Sequence, residues 1–324
     1  ILKSIATAVP PYEIHQIEVE KFARGLFASR PKSFERLAGV YANAGIDKRY
    51  SCVPLEWYKQ SHGWKDRTEI FVDSAVDLLV SAAQKAIDGA SLVATDIDGI
   101  VTVSSTGLAV PSLDSLLMDR MPFRRDVQRL PIFGLGCGGG VLGLSRAAAL
   151  AQAQPGSRWL FLVVELCGIT FREADLSKSN IIATALFGDG AAAAIVQVDS
   201  SGKRLASWGE YCWPNSSDIM GWNIEEDGFG VRFSRDIPRF VRSQMRQAAD
   251  RFLEQSSVPF ESLDQFIFHP GGAKVLSALE DAFEISPSGL KLARDVLREY
   301  GNMSAATVLF VLERALAQHP SGVG

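Results

Sequence analysis

Cys137 stands among six glycines in the stretch PIFGLGCGGGVLGL, residues 131–144. Two chemistries fit such a run. Gly134, Gly136 and Gly139 spell G-x-G-x-x-G, the turn that cradles a dinucleotide pyrophosphate. Alternatively, the glycines clear side-chain bulk from both sides of a thiol, so that a carbonyl carbon can reach the sulfur. A thiol at a helix N-terminus is also biased toward thiolate by the dipole and the unpaired N–H groups. The dinucleotide reading asks for an acidic residue about 20 positions further on, at a strand end. Glu165 lies 26 residues beyond Gly139. Against that reading, the loop spends its middle position on a thiol and lies well inside the chain rather than opening a first βαβ unit.

Two further residues give the thiol partners. His269 precedes Pro270-Gly271-Gly272 at the end of an apolar run, and Asn302 follows Gly301 ahead of another. Each alone has an ordinary explanation: a small buried cysteine, a turn histidine, a helix N-cap asparagine. Together they supply what acyl transfer needs. A nucleophilic cysteine requires an acceptor for its proton, and a tetrahedral or enolate oxyanion requires N–H donors.

The elements that must position these residues alternate. Residues 66–88 carry apolar side chains at helical spacing, opened by Asp66. IDGIVTV, DVQRLPIFGLG, RWLFLVVELC and LFGDGAAAAIVQV read as strands, and VLGLSRAAALAQA as a helix between them. DIPRFVRSQMRQAADRFLEQ reads as a long helix with a basic outer face, and DQFIFHPGG as a strand ending in a turn. LKLARDVLREYG is a helix stopped by Gly301, and SAATVLFVLERALAQ a helix apolar through most of its circumference. The alternation indicates α/β. Helices apolar nearly all round must be covered on several sides, which implies more than three layers.

An internal echo fits this. Asp98 and Asp264 open similar segments 166 residues apart, and Cys137 and Asn302, each heading a buried helix, are 165 apart. A shared offset implies two repeated halves, placed at 1–200 with the cysteine and 201–324 with the histidine and asparagine.

Composition narrows the function classes. The 324 residues are 47% hydrophobic and 22% charged, with a net charge of −4. That balance gives no global attraction to nucleic acid or anionic lipid. Cys52, Cys137, Cys167 and Cys212 lie far apart, with no ligand-like spacing to the histidines. This argues against a disulfide framework or zinc site, and no metal is expected. No apolar run reaches the length of a membrane span and no signal peptide is legible, so a cytoplasmic location is expected.

GLGCGGGVLGL, VVELCGITFR, ALFGDGAAAAIV, FIFHPGGAKVL and YGNMSAATVLFVLE, in this order, resemble the type III polyketide synthases, the chalcone-synthase-like branch of the thiolase superfamily. The related ketoacyl synthase III enzymes share Cys, His and Asn but usually follow the His with Gln-Ala-Asn. The resemblance implies a five-layered αβαβα thiolase-like fold of two pseudo-repeated halves. It also implies a homodimer that uses an acyl-CoA starter and malonyl-CoA and needs no metal or redox cofactor.

On this resemblance Cys137 accepts the acyl group, with His269 and Asn302 as its partners. Phe187 and Phe233 match the family's two gatekeeper phenylalanines. Thr170, Cys167 and Ser304 match pocket-lining positions, and Lys48 and Arg49 a basic stretch near the CoA phosphates. Small residues at Cys167 and Gly168 favour a roomy pocket and a fatty acyl starter, giving an alkylpyrone or alkylresorcinol. The alternatives are a ketoacyl synthase III-like enzyme or a chalcone-like synthase with an aromatic starter. Family members continue past the last helix into a strand pair with a Gly-rich loop, so further residues are expected beyond QHPSGVG.

Overall fold

The run Trp159–Leu166 has no polar face to turn toward water, and it lies at the centre of a five-stranded sheet. The computed structural model describes residues 1–27, 38–199 and 202–318. The expected boundary between halves, at 200/201, falls outside them. The sheet comprises β1 (Leu2–Ala8), β4 (Gly99–Ser104), β5 (Gln128–Phe133), β6 (Arg158–Leu166) and β7 (Asp189–Gln197), in the order β1-β7-β6-β4-β5. Strand β4 runs parallel to β5 and β6, while β7 is antiparallel to both β6 and β1. Two small ribbons lie outside it, β2 (Tyr12–His15) with β3 (Lys48–Ser51) and β8 (Met220–Ile224) with β9 (Phe229–Phe233).

Alternation along the strands builds two cores, one on each face of the sheet. Phe161, Val163, Ala192, Ala194 and Val196 face one core. Leu160, Leu162, Val164, Ala191, Ala193 and Ile195 face the other. The helices are α1 (Gln16–Leu26), α2 (Trp64–Gly89), α3 (Leu113–Leu117), α4 (Gly139–Ala153), α5 (Lys178–Leu186), α6 (Ile237–Gln255), α7 (Ala273–Phe283), α8 (Lys291–Tyr300) and α9 (Thr307–Gln318). Leu78, Leu79, Ala82 and Ala86 of α2 cover the second face. Ala147 and Ala151 of α4, with Leu309 and Phe310 of α9, cover the first. That core continues past them to Leu276 and Phe283 of α7 and Leu297 of α8. The helices read as apolar all round are thus the middle layer, with protein on both sides.

Three local expectations are revised. Helix α2 begins at Trp64, with Asp66 inside its first turn rather than capping it. Asp264–His269 forms no ladder with any described strand: an apolar run is necessary for a strand, but pairing defines one. Phe266, Ile267 and Phe268 pack instead against the α7 core, with Phe266 and Phe268 rings beside Phe283.

The third concerns the glycines around Cys137. Gly134 and Gly136 are open, with nothing near a Cβ, and their φ values of +91° and +53° make the turn possible. Gly139, Gly140 and Gly143 do something else: they let α4 approach its neighbours. A Cβ on Gly139 meets Val103 Cγ1 at 2.7 Å, and one on Gly140 overlaps the Ala305 carbonyl oxygen. Substituting Gly140→Ala therefore forces a backbone atom to move and costs about 1–3 kcal/mol. Urea unfolding at fixed pH checks this, and an unchanged midpoint contradicts the packing.

Candidate active site

Cys137 occupies a single 3₁₀ turn, Gly136–Gly138, immediately ahead of α4. A matching turn, Ser304–Ala306, stands ahead of α9, and the close approach at Gly140 sets the two turns side by side. Ser304 Oγ donates to Cys137 Sγ at 3.5 Å. The Ser304 N–H donates to Asn302 Oδ1 at 2.8 Å, which fixes the amide so that Nδ2 donates to the Gly271 carbonyl at 3.1 Å. A Cβ on Gly271 stands 3.6 Å from His269 Nε2, so the imidazole lies over this glycine. A relay of contacts thus runs Cys137, Ser304, Asn302, Gly271, His269.

The backbone holds Asn302 from its other side. Gly301, at φ +69°, reverses the chain after α8. Asn302 N–H then donates to the Leu186 carbonyl at 2.8 Å, and its own carbonyl accepts from Gly188 N–H at 3.0 Å. This is a short parallel bridge to Phe187. The Phe187 ring lies 5.6 Å from Phe233 on β9 and meets Trp222 on β8 edge-on at 6.0 Å. Cys167 is buried, and Thr170 Oγ1 donates to its carbonyl at 2.6 Å.

Burial dominates the electrostatics. It pushes the Cys137 thiol up to about 11; the Ser304 hydrogen bond pulls it down and the nearby Glu165 charge adds to the rise. Burial holds the His269 imidazole down, at about 4, and neither ring nitrogen has a hydrogen-bond partner among the described residues. Burial thus favours the neutral thiol and the neutral imidazole at rest, against the pull of the helix terminus, which Cys137 precedes rather than caps. A neutral imidazole N–H beside an amide N–H is a donor pair suited to a developing oxyanion.

Glu165 removes the dinucleotide reading. It is fully buried and accepts from Ser105 N–H (3.0 Å), Ser105 Oγ (2.7 Å) and Thr106 Oγ1 (2.8 Å). With both oxygens engaged, none is left for a ribose. Burial raises its carboxyl to about 7 and that of Asp189 to about 6. Among the described residues, no group of three or more His, Cys, Asp and Glu side chains is arranged to hold a metal ion. No helix there is long and apolar enough to cross a membrane.

The basic pair separates. Lys48 Nζ donates to Glu13 at 2.7 Å near the surface. Arg49 is buried, and its guanidinium donates to the Thr184 (2.8 Å), Phe187 (2.8 Å) and Ala185 (2.9 Å) carbonyls and to Gln16. It ties down the C-terminal carbonyls of α5, so its two terminal nitrogens are committed to carbonyls and Gln16 rather than to a phosphate, and Nε alone has no partner among the described residues. Sequence reasoning missed Trp222. Its signal was an aromatic two residues before a β-turn of acidic residues, which names no contact until β8 is folded against β9.

The profile of the N-terminal domain of chalcone and stilbene synthases matches residues 4–200, and that of the C-terminal domain residues 205–319. The chain belongs to the chalcone and stilbene synthase family, the type III polyketide synthases, which are condensing acyltransferases with a thiolase-like fold. It is 35% identical to a 1,3,6,8-tetrahydroxynaphthalene synthase of Streptomyces peucetius subsp. caesius, over 96% of this chain and 84% of the relative. The crystal structure of the Streptomyces coelicolor A3(2) tetrahydroxynaphthalene synthase superposes with a TM-score of 0.93 at 30% identity, covering 100% of this chain and 92% of that one. PKS-I of the brown alga Ectocarpus siliculosus gives 0.90 at 27%, covering 99% and 90%.

Two outcomes follow from the geometry. Arg49→Met takes the donor from the Thr184 and Phe187 carbonyls, while Ala185 keeps Gln16 Nε2. It costs about 2–4 kcal/mol in thermal or urea unfolding, while calorimetric CoA affinity of the folded fraction stays unchanged. Loss of CoA affinity instead restores the phosphate role. For His269, the unfolded chain takes up a proton below its ordinary value of 6.5, whereas the folded chain refuses it down to about 4. Its contribution is thus fully present above 6.5 and is lost as pH falls through that window. The stability of His269→Gln relative to the wild type accordingly rises on acidification, measured by urea unfolding at about pH 7 and about pH 5.

Proposed function

We propose that Cys137 accepts an acyl group from a starter CoA thioester and that the chain extends it with malonyl-CoA by decarboxylative condensation. The relay from Cys137 to His269 is the observation that carries this reading. The sulfur attacks the starter carbonyl as the thiol proton passes to His269, and CoA departs with that proton as a free thiol. The malonyl thioester oxygen then lies against the His269 and Asn302 N–H donors. Its C–C bond to the carboxylate breaks, carbon dioxide leaves, and the electron pair moves into an enolate that the two donors stabilise. The enolate carbon bonds to the acyl carbonyl, and the C–S bond to Cys137 breaks. Phe187 and Phe233 place apolar rings beside the carboxylate, where a charge is costlier than neutral carbon dioxide.

The starter class rests on a second feature. An apolar cleft with a cavity volume of about 70 Å³ lies between α1 and α5. Val19, Phe22, Leu26 and Leu55 line it, and Cys167, Thr170 and Phe187 stand along the same wall. Its apolar lining, rather than its volume, supports a fatty acyl starter over a polar one, with an alkylpyrone or alkylresorcinol as product. The matching turn-and-helix units at Cys137 and Ser304 support two repeated halves meeting at the site. Exposed Leu130 and Phe133 on edge strand β5, with exposed Val110 and Val141 flanking it in sequence, support a homodimer.

Intact-protein mass spectrometry with a panel of acyl-CoAs tests the reading. Long-chain acyl-CoAs leave an adduct on Cys137 that malonyl-CoA converts to released product, and Cys137→Ala leaves none. Leu26→Trp, which fills the cleft, shifts the adducts toward shorter chains. Labelling by aromatic starters alone, unaffected by Leu26→Trp, overturns the fatty acyl assignment, and no adduct from any acyl-CoA overturns the condensing role.

A further inference from the structure

Ser304 combines two features that ordinary packing does not explain. It is buried and sits at φ +47°, in the left-handed region that a side chain enters only at a cost. Glycine fits such a position without strain, and glycines are used freely in the facing turn at Cys137. Yet the chain keeps a hydroxyl here, and that hydroxyl points at Cys137 Sγ. From the same residue, the N–H fixes the Asn302 amide and the carbonyl accepts from Thr307 Oγ1 at 2.9 Å. Thr307 Oγ1 in turn accepts from Met303 N–H at 2.9 Å, so the turn is locked by its own hydrogen bonds.

We infer that Ser304 is a catalytic hydrogen-bond donor to the Cys137 sulfur, held in a strained backbone conformation because the hydroxyl is needed there. Because Ser304 donates to the sulfur, the thiol's own proton is left for another acceptor, which under the proposed mechanism is His269. When that proton leaves, the Ser304 O–H remains bonded to the sulfur and its interaction strengthens, since hydrogen bonds to a charged acceptor exceed those to a neutral one. The serine keeps its proton throughout. It also couples the two chemical stations, because the backbone that aims the hydroxyl is the backbone that orients the Asn302 donor. The inference deepens the proposed role of Cys137 and rests on it only for the condensation step; the effect on sulfur reactivity stands independently.

The groups facing the sulfur divide the influence on its ionisation. Ser304 favours thiolate, burial opposes it, and the buried Glu165 on β6 opposes it further through like charge. Ser304 is thus the side chain in this set that works toward the reactive form.

The test compares Ser304→Ala and Ser304→Gly with the wild type in three readouts: the pH dependence of Cys137 alkylation by iodoacetamide, thermal stability, and steady-state kcat and KM with malonyl-CoA. Both variants are expected to move the alkylation midpoint up by about one pH unit, a tenfold smaller thiolate fraction at fixed pH, and to lower kcat with KM little changed. Ser304→Gly relieves the φ strain and melts no lower than the wild type. It also keeps the test valid should Ser304→Ala fail to fold. An unchanged alkylation profile in Ser304→Gly overturns the proposal, as does a loss confined to KM, which marks a residue that only shapes the pocket. A shifted profile in a protein that proves not to condense malonyl-CoA upholds the Ser304 assignment and removes the condensation reading alone.

Discussion

The contact between the start of α4 and the turn before α9 governs the rest of this molecule. Gly140 lies so close to the Ala305 carbonyl that no side chain fits between them. That approach brings Cys137 of the N-terminal domain within hydrogen-bond reach of Ser304 of the C-terminal domain. A cavity between two separately folded units has a tolerance of an ångström or more, which acyl transfer does not forgive. Here the tolerance is set by van der Waals contact between backbones in the middle layer of the fold, where cores press from both sides. The site is therefore as rigid as the interior, and five of the six glycines around Cys137 divide their labour between opening the turn and closing the helix interface.

The same burial decides the resting charge state. Removing water raises the thiol and lowers the imidazole, so proton transfer between them is uphill until something compensates. The compensation is local: a hydroxyl on the sulfur and, further along the relay, the Asn302 amide, whose orientation is fixed. A dry site of this kind spends its donors on charge that develops during reaction rather than on charge present at rest. It also protects an enolate, once formed, from protonation by solvent.

Legibility varied with the range of the interaction. Cys137, His269 and Asn302 stand out as candidates because their local contexts are unusual: a thiol among glycines, a histidine before Pro-Gly-Gly, an asparagine after a helix stop. The strands β4, β6 and β7 were equally plain, since runs such as RWLFLVVEL leave few alternatives. Three things were hidden. The strand expected at Asp264–His269 depends on a neighbour that no local pattern supplies. The burial of Arg49 depends on α5 packing its last carbonyls against β3, and a basic residue reads as exposed until a partner is known. The role of glycines 139, 140 and 143 depends on residues remote in the chain, Val103 and Phe161 on neighbouring strands and Ala305 ahead of α9, so their spacing suggested access to the thiol where the fold uses them for contact.

Phe187 illustrates a division that bears on how such a chain diversifies. Its N–H bonds the Ala183 carbonyl, its own carbonyl accepts from Arg49, and the residues on either side are bridged to Asn302. Every one of these anchors is made by backbone, and none involves the ring. The ring's position is thus inherited from a frame that is indifferent to what residue 187 carries. A lineage can exchange that ring for a smaller or larger side chain, and with it the outline of the reaction chamber, while the asparagine donor on the opposite side of the bridge stays where it was. Chamber shape and catalytic alignment are mechanically uncoupled at the point where they come closest, which leaves the chamber free to drift under selection for new products.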